Sequence, residues 1–219
     1  MAKILSVIIM VWENTSMNAL FCMVLGYLLG SISPSALLSK IKKKNIREYG
    51  TKNLGALNTL INFGKGWGVF VMLFDIAKAV ISVVIAKRFF AFGYAGIVAG
   101  GAAVIGHMFP FYMKFKGGKG LAPFAGFVLA NHPLHFLFLF VFCVSLMLIV
   151  NYSVALPFSA SMMYPFLAAY HQGNVDYMTF FLTALVGVVV IVKFWGNFKK
   201  AMNGEDEKVR DFIKKQFSK

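Results

Sequence analysis

The 219-residue sequence predicts an all-α polytopic membrane protein of about seven transmembrane helices, with its substrate loops on the cytoplasmic face. Three observations carry that reading. Hydrophobic residues make up 59% of the chain and mean hydropathy is +0.72, values a soluble domain rarely reaches. Apolar segments recur at roughly 17–39, 66–86, 91–112, 121–131, 134–151, 154–170 and 176–196. Most of the 22 Lys and Arg residues fall in three clusters between or after those segments, at 40–65, 114–119 and 193–219. A formal net charge of +14 suits nucleic acid in isolation, but this clustering is the positive-inside pattern, so the chain is read as binding the bilayer and no nucleic acid.

Taken in order, residues 1–16 form an N-terminal lead. Its run MAKILSVIIMVW is too short to span a bilayer, which takes about 20 residues, and is read as interfacial. Either Met1 or Met17 fits as the start, because Met17 immediately precedes the first full span. Residues 17–196 form one seven-helix membrane domain. The fourth segment, 121–131, is short and crosses only if the adjoining loop enters the membrane or the bilayer thins. With seven spans and a basic C-terminus inside, the N-terminus lies outside and the site faces the cytoplasm. Residues 197–219 form a basic amphipathic cytoplasmic tail, in which GEDE (204–207) breaks the chain before a short helix on the inner leaflet. Cys22 and Cys143 sit in apolar runs and read as small buried hydrophobes, so no disulfide framework, metal site or cofactor is expected.

The richest stretch is Gly106–Ala122, GHMFPFYMKFKGGKGLA. Gly117, Gly118 and Gly120 around Lys119, with Lys114 and Lys116 upstream, let backbone N–H groups and cations converge on a small anion. His107 begins this stretch and is the only one of four histidines on the cytoplasmic side; His132, His135 and His171 fall on outer turns. A lone histidine is ordinarily a hydrogen-bonded structural residue, but its place beside the anion loop makes His107 a candidate catalytic group. Earlier, GSISPSALLSK (30–40) sets Ser31, Ser33 and Ser35 around Pro34, where hydroxyls can meet backbone groups at a helix break. In NIREYGTKNLGALN (45–58), Arg47 is a fork-shaped phosphate donor whose plainer role is a pair with Glu48. Asn53 and Asn58 flank Gly55-Ala56 and read first as turn formers. Asp75 and Lys78, three apart in the second span, share a helix face and form an ion pair that steadies the interior. No P-loop, HExxH, H-x₄-D or Ser/His/Asp order occurs.

GSISPS, IREYGTKNLGALN, LFDIAK (73–78) and GHMFPFYMKFKGGKGLA together resemble the bacterial acyl-phosphate:glycerol-3-phosphate acyltransferases. The resemblance is close from about Gly26 to Ala130 and thinner to Gly204, and the glycine–lysine loop is its most specific part. It implies a seven-span enzyme of the bacterial plasma membrane that starts phospholipid synthesis. Such an enzyme takes acyl phosphate and glycerol 3-phosphate as substrates, forms lysophosphatidate, and needs no metal or cofactor. It also implies roles for residues. Arg47 and Lys119 hold phosphates with Lys116. The amides of Gly117, Gly118 and Gly120 stabilise the oxyanion or leaving phosphate. Ser31, Thr51, Asn53, Asn58, Ser153 and Asn197 bind substrate, and His107 tunes the loop or assists proton movement.

The chain departs from the family pattern in three places. Gly50-Thr51-Lys52-Asn53 and Gly55-Ala56-Leu57-Asn58 stand where GSGN and GATN are common. Asn151-Tyr152-Ser153-Val154 replaces an Arg-Tyr-x-Ser pattern, removing a cation and moving the serine by one place. Phe194 stands where a C-terminal His-x-x-Asn has its histidine, while Asn197 remains. Two further readings accordingly stay open. One is the same chemistry with a different acyl acceptor. The other is a non-catalytic phosphate- or lipid-binding membrane protein or a phosphate-ester transporter, against which stands the absence of an inverted repeat.

Overall fold

In a chain this apolar, helices associate through close backbone approach and internal hydrogen bonds, which places small residues at the contacts. The structure, a computed structural model, describes residues 15–171 and 174–217 and is helical almost throughout. It divides into two compact units, Met1–Asn131 and His132–Lys219.

In the first unit α1 (Thr15–Ser31) runs against α5 (Ala95–Met108). A Cβ at Gly26 would overlap the Ala99 carbonyl, and one at Gly30 would overlap that of Ala103; Gly106 stands in the same relation to the Tyr27 carbonyl. A side chain at any of the three would force the helices apart. Helix α2 (Pro34–Ile41) follows α1 after a break in which Ser33 caps the new helix, accepting from the Ala36 N–H at 3.3 Å, with Pro34 in its first turn. The long basic loop then holds a 3₁₀ turn, Ile46–Glu48, and α3 (Ala56–Phe63). Helix α4 (Lys65–Phe89) packs on α5 and on α6 (Leu121–Asn131), with Gly126 against the Ile76 carbonyl.

The second unit holds α7 (Pro133–Val150), α8 (Ala155–Ala169), α9 (Tyr177–Met202) and α10 (Val209–Phe217). Helices α8 and α9 pack together, joined by a two-residue antiparallel pairing of Tyr170–His171 with Asn174–Val175. Asp176 caps α9 by accepting from the N–H groups of Met178 (3.0 Å) and Thr179 (3.2 Å). Helix α7 buries only Leu139 and Cys143 and leaves Leu134 80% and Ile149 76% exposed, as a helix turned toward lipid does.

Helices stand at all seven expected segments. Among the described residues five stretches, Thr15–Ile41, Lys65–Phe89, Ala95–Met113, Pro133–Val150 and Tyr177–Met202, are long and apolar enough to cross a membrane, while α6 and α8 are apolar but shorter. The expected lead lies outside the described residues as far as residue 14, and its last two residues already belong to α1. The tail expected to begin at 197 is continuous with α9 as far as Met202, because nothing from 197 to 202 breaks a helix. It turns at Gly204 (φ 72°), and a separate helix follows. Helix α3 was not expected. Its start lies in the glycine- and asparagine-rich segment that reads as a turn, and Asn58, expected in that turn, sits within the helix.

Candidate anion site of the first unit

The site begins with the way α5 ends. After Met108 the chain makes a 3₁₀ turn at Phe111–Met113, passes Lys114 and Phe115 in left-handed conformations (φ 54° and 58°), and doubles back. The returning strand of the loop is pinned to the end of α5. The Gly117 N–H donates to the Met108 carbonyl at 3.1 Å, and the Gly118 N–H donates to the His107 carbonyl at 3.1 Å. These two amides therefore do not converge on one anion, which corrects the expectation placed on them; they hold the loop in shape. Gly118 is tightly enclosed, since a Cβ there would overlap His107 Nε2 and lie 2.8 Å from the Leu54 carbonyl oxygen. Gly120 needs its glycine for a different reason, a φ of 89°.

Beneath the loop is a buried charged cluster that brings α4 and α5 together. Lys78 Nζ lies 2.7 Å from Asp75 Oδ1, 2.8 Å from the Ile32 carbonyl and 2.9 Å from His107 Nδ1. An ammonium has three N–H donors, enough to engage the Asp75 carboxylate and the Ile32 carbonyl and still face the imidazole. With Nδ1 turned toward this pair, the other ring nitrogen of His107, Nε2, faces Gly118. Asp75 Oδ1 lies 3.3 Å from the same Nδ1. Asp75, Lys78 and His107 are all buried, so the cluster is a rigid floor and His107 lies under the loop. The expected Asp75–Lys78 pair is present, and His107 is the partner that sequence did not supply.

The first basic loop docks beside the second. Asn45 caps the 3₁₀ turn by accepting from the Arg47 N–H at 3.3 Å, and Ile46 is fully buried. With Ile46 anchored, Arg47 points outward and its Nη2 donates to the Lys116 carbonyl, with Met113 Sδ at 3.8 Å. Glu48, the plainer partner, instead accepts from Asn45 Nδ2 at 2.6 Å. Asn58 is fully buried and organises this loop. Its Nδ2 donates to the carbonyls of Ile46 (2.7 Å) and Asn53 (2.8 Å), and its Oδ1 accepts from the Thr51 N–H (2.8 Å) and Asn62 Nδ2 (3.1 Å). That occupancy makes Asn58 a holder of the loop. Ser31 is likewise committed, its buried hydroxyl donating to the Tyr27 carbonyl at 2.7 Å while its own carbonyl accepts from the Tyr112 hydroxyl at 2.6 Å. Thr51 differs. Its buried hydroxyl has no hydrogen-bond partner among the described residues.

Arg47, Lys116 and Lys119 thus lie on two loops that the Arg47 guanidinium joins, with Lys119 half-buried between Gly118 and Gly120. Asn53 is half-buried on the first loop. Ser153 and Asn197 belong to the second unit, Ser153 exposed in the turn between α7 and α8 and Asn197 half-buried on α9. Among the described residues no group of three His, Cys, Asp or Glu is placed to hold a metal ion.

Comparison with known proteins bears on this arrangement. The family model described as glycerol-3-phosphate acyltransferase matches residues 20–204. A glycerol-3-phosphate acyltransferase of Macrococcus caseolyticus is 32% identical over 195 residues, covering 89% of this chain and 98% of the relative. The crystal structure of PlsY (YgiH), an integral membrane glycerol 3-phosphate acyltransferase, is similar in its glycerol 3-phosphate form with a TM-score of 0.76 at 31% identity, covering 87% of this chain and 94% of that one. Its lysophosphatidic acid form gives a TM-score of 0.73 at 32% identity, with the same coverage of both chains.

Proposed function

The chain belongs to the glycerol-3-phosphate acyltransferase family, and on that premise we propose that it moves a fatty acyl group from an acyl phosphate to the 1-hydroxyl of glycerol 3-phosphate, giving lysophosphatidate. The observation that carries the reading is the Arg47 guanidinium on the Lys116 carbonyl, which joins the two basic loops into one cationic surface. Both substrates bear phosphate, and neighbouring cations with a fork-shaped donor suit two such groups.

In the reaction the acceptor oxygen attacks the acyl carbonyl carbon. A C–O bond forms, the bond from that carbon to the phosphate oxygen breaks, and the proton of the attacking hydroxyl leaves on the departing phosphate. An acyl phosphate is already activated, so positioning and charge stabilisation supply most of what the protein must add. Lys119, Lys116 and Arg47 hold the phosphates, and Thr51 offers its hydroxyl to the acceptor with Asn53 beside it. His107 acts as a positioning residue that sets Gly118 from below, while Ser31 and Asn58 hold the backbone. Ser153 and Asn197, in the second unit, are proposed as further substrate-binding polar residues. The helices α6 and α8 complete a seven-span multi-pass protein of the bacterial plasma membrane. The basic loops and the C-terminus face the cytoplasm, in keeping with their charge.

The test is steady-state transfer from palmitoyl phosphate by detergent-solubilised protein. Lys119→Ala and Arg47→Ala should each lower kcat/KM at least tenfold by loss of a charge-assisted contact, with Arg47→Lys recovering part of it. Full activity in both alanine variants overturns the assignment of the site.

A further inference from the structure

The first unit carries a cluster of cations that the roles above do not use. Helix α2 ends at Ile41, and bonds within its own backbone close that end. The Lys42 N–H donates to the Leu38 carbonyl at 2.8 Å, that of Lys43 to Lys40 at 3.2 Å, and that of Lys44 to Ser39 at 3.0 Å. Lys43 is left-handed (φ 50°), so the chain turns sharply as it leaves the helix. Lys40, Lys42, Lys43 and Lys44 are thereby gathered around one helix end, the first three exposed and Lys44 half-buried.

A helix C-terminus attracts cations, but its macrodipole amounts to only about half a negative charge against four ammoniums. No carboxylate makes up the difference. From residue 15 to residue 131 the sequence holds two, Glu48 and Asp75. Asp75 is buried against Lys78, and Glu48 accepts from Asn45. None of the four lysines forms an ion pair among the described residues. Two lie over aromatic rings instead, Lys42 Nζ 5.8 Å from the centroid of Trp67 and Lys44 Nζ 5.0 Å from that of Tyr49. Both rings are themselves exposed. A ring face steadies a cation without neutralising it, so the cluster keeps its charge for a ligand from outside.

The surroundings select that ligand. The lysines close and follow Thr15–Ile41, a stretch apolar enough to cross a membrane. At its end α2 leaves Leu37 60% and Ile41 64% exposed, four residues apart on one helix face. Trp67 stands in the first turn of α4, another helix of membrane-crossing length, and indole rings favour the headgroup level of a bilayer. An acidic protein would satisfy the lysines and leave that apolar face bare. A lipid with an anionic headgroup satisfies both.

We infer that Lys40, Lys42, Lys43 and Lys44, with Trp67 and Tyr49 beside them, bind the headgroup phosphates of anionic phospholipids whose chains lie along Leu37 and Ile41. The site stands apart from the acyltransferase reading and does not require it. It anchors the loop from which Arg47 reaches the Lys116 carbonyl.

The experiment uses the full chain carrying Trp12→Phe and Trp195→Phe, which leaves Trp67 as its single tryptophan. In phosphatidylcholine nanodiscs, one lipid in ten is replaced by brominated phosphatidylglycerol or, in a parallel sample, by brominated phosphatidylcholine. The anionic lipid should quench Trp67 fluorescence about threefold more strongly than the neutral one, and high salt should remove the excess. A chain with Lys40→Gln, Lys42→Gln, Lys43→Gln and Lys44→Gln should be quenched equally by the two lipids. The matching chain with Lys→Arg at the same four positions should keep the preference. Equal quenching before any lysine is changed overturns the inference and leaves the surface to an acidic protein. A preference that survives the loss of all four ammoniums, or one that the Lys→Arg chain also loses, overturns it as well.

Discussion

Substituting Gly118 by alanine adds one methyl group at a closely packed point of the candidate site. The new Cβ overlaps His107 Nε2 on one side and meets the Leu54 carbonyl oxygen at 2.8 Å on the other. The imidazole has little room to retreat, because its Nδ1 is 2.9 Å from Lys78 Nζ and 3.3 Å from Asp75 Oδ1. The Leu54 carbonyl is backbone and cannot rotate away. The loop therefore has to lift from the end of α5, loosening the Gly117 and Gly118 amide bonds and moving Lys119 with it. Overpacking of this kind costs about 1–3 kcal/mol. If the cost falls on the positioned loop, kcat/KM drops roughly 5- to 150-fold, at about 1.4 kcal/mol per tenfold. The assay is initial-rate acyl transfer with both substrates varied, on protein that elutes as wild type does by size exclusion. Gly66→Ala is the control, since a Cβ there meets nothing within 4 Å and the position lies in the first turn of α4. A Gly118→Ala enzyme within about twofold of wild type in kcat/KM would refute the packing argument.

Three further variants separate contact from scaffold. Thr51→Val keeps the shape and removes a hydroxyl with no hydrogen-bond partner among the described residues. It should raise KM for glycerol 3-phosphate about three- to tenfold without lowering thermal stability, whereas an unchanged KM would remove Thr51 from the acceptor site. Asn58→Ala deprives the Ile46 and Asn53 carbonyls and the Thr51 N–H of their partner. Proteolysis across 45–58 should speed up and kcat/KM should fall more than about tenfold, and an equally protected loop would count against its role as organiser. Asp75→Asn leaves a buried ammonium without its carboxylate, a change that costs about 3–5 kcal/mol when one partner of a buried pair is lost. A thermal unfolding scan in detergent should show a clear drop, and wild-type stability would mean that the floor is not needed.

The helices were legible because lipid leaves a chain little choice. Each expected segment is an apolar run, and the break after α1 is announced by the serines around Pro34. The glycine–lysine loop was equally visible, but its geometry was not. Closely spaced glycines suggest amides converging on an anion, whereas Gly117 and Gly118 direct theirs to the carbonyls of Met108 and His107. Nothing local distinguishes those two uses. The Asp75–Lys78 pair could be read at its spacing of three, but its third member, His107, comes from another helix, and only packing brings it there. Helix α3 was hidden because its N-terminal residues have turn composition and its stability comes from burying Asn58 and Thr59. The capping of α10 by Asn151 joins residues 59 apart, beyond any reading of local pattern.

The most direct test of the central claim is the stoichiometry of one reaction. Purified protein in detergent is given palmitoyl phosphate with glycerol 3-phosphate, and lysophosphatidate and inorganic phosphate are measured together. Attack of the acceptor hydroxyl on the acyl carbon requires equal amounts of both products, with phosphate release dependent on glycerol 3-phosphate. Phosphate released without lysophosphatidate, or no turnover of a folded protein that still binds both substrates, would contradict it.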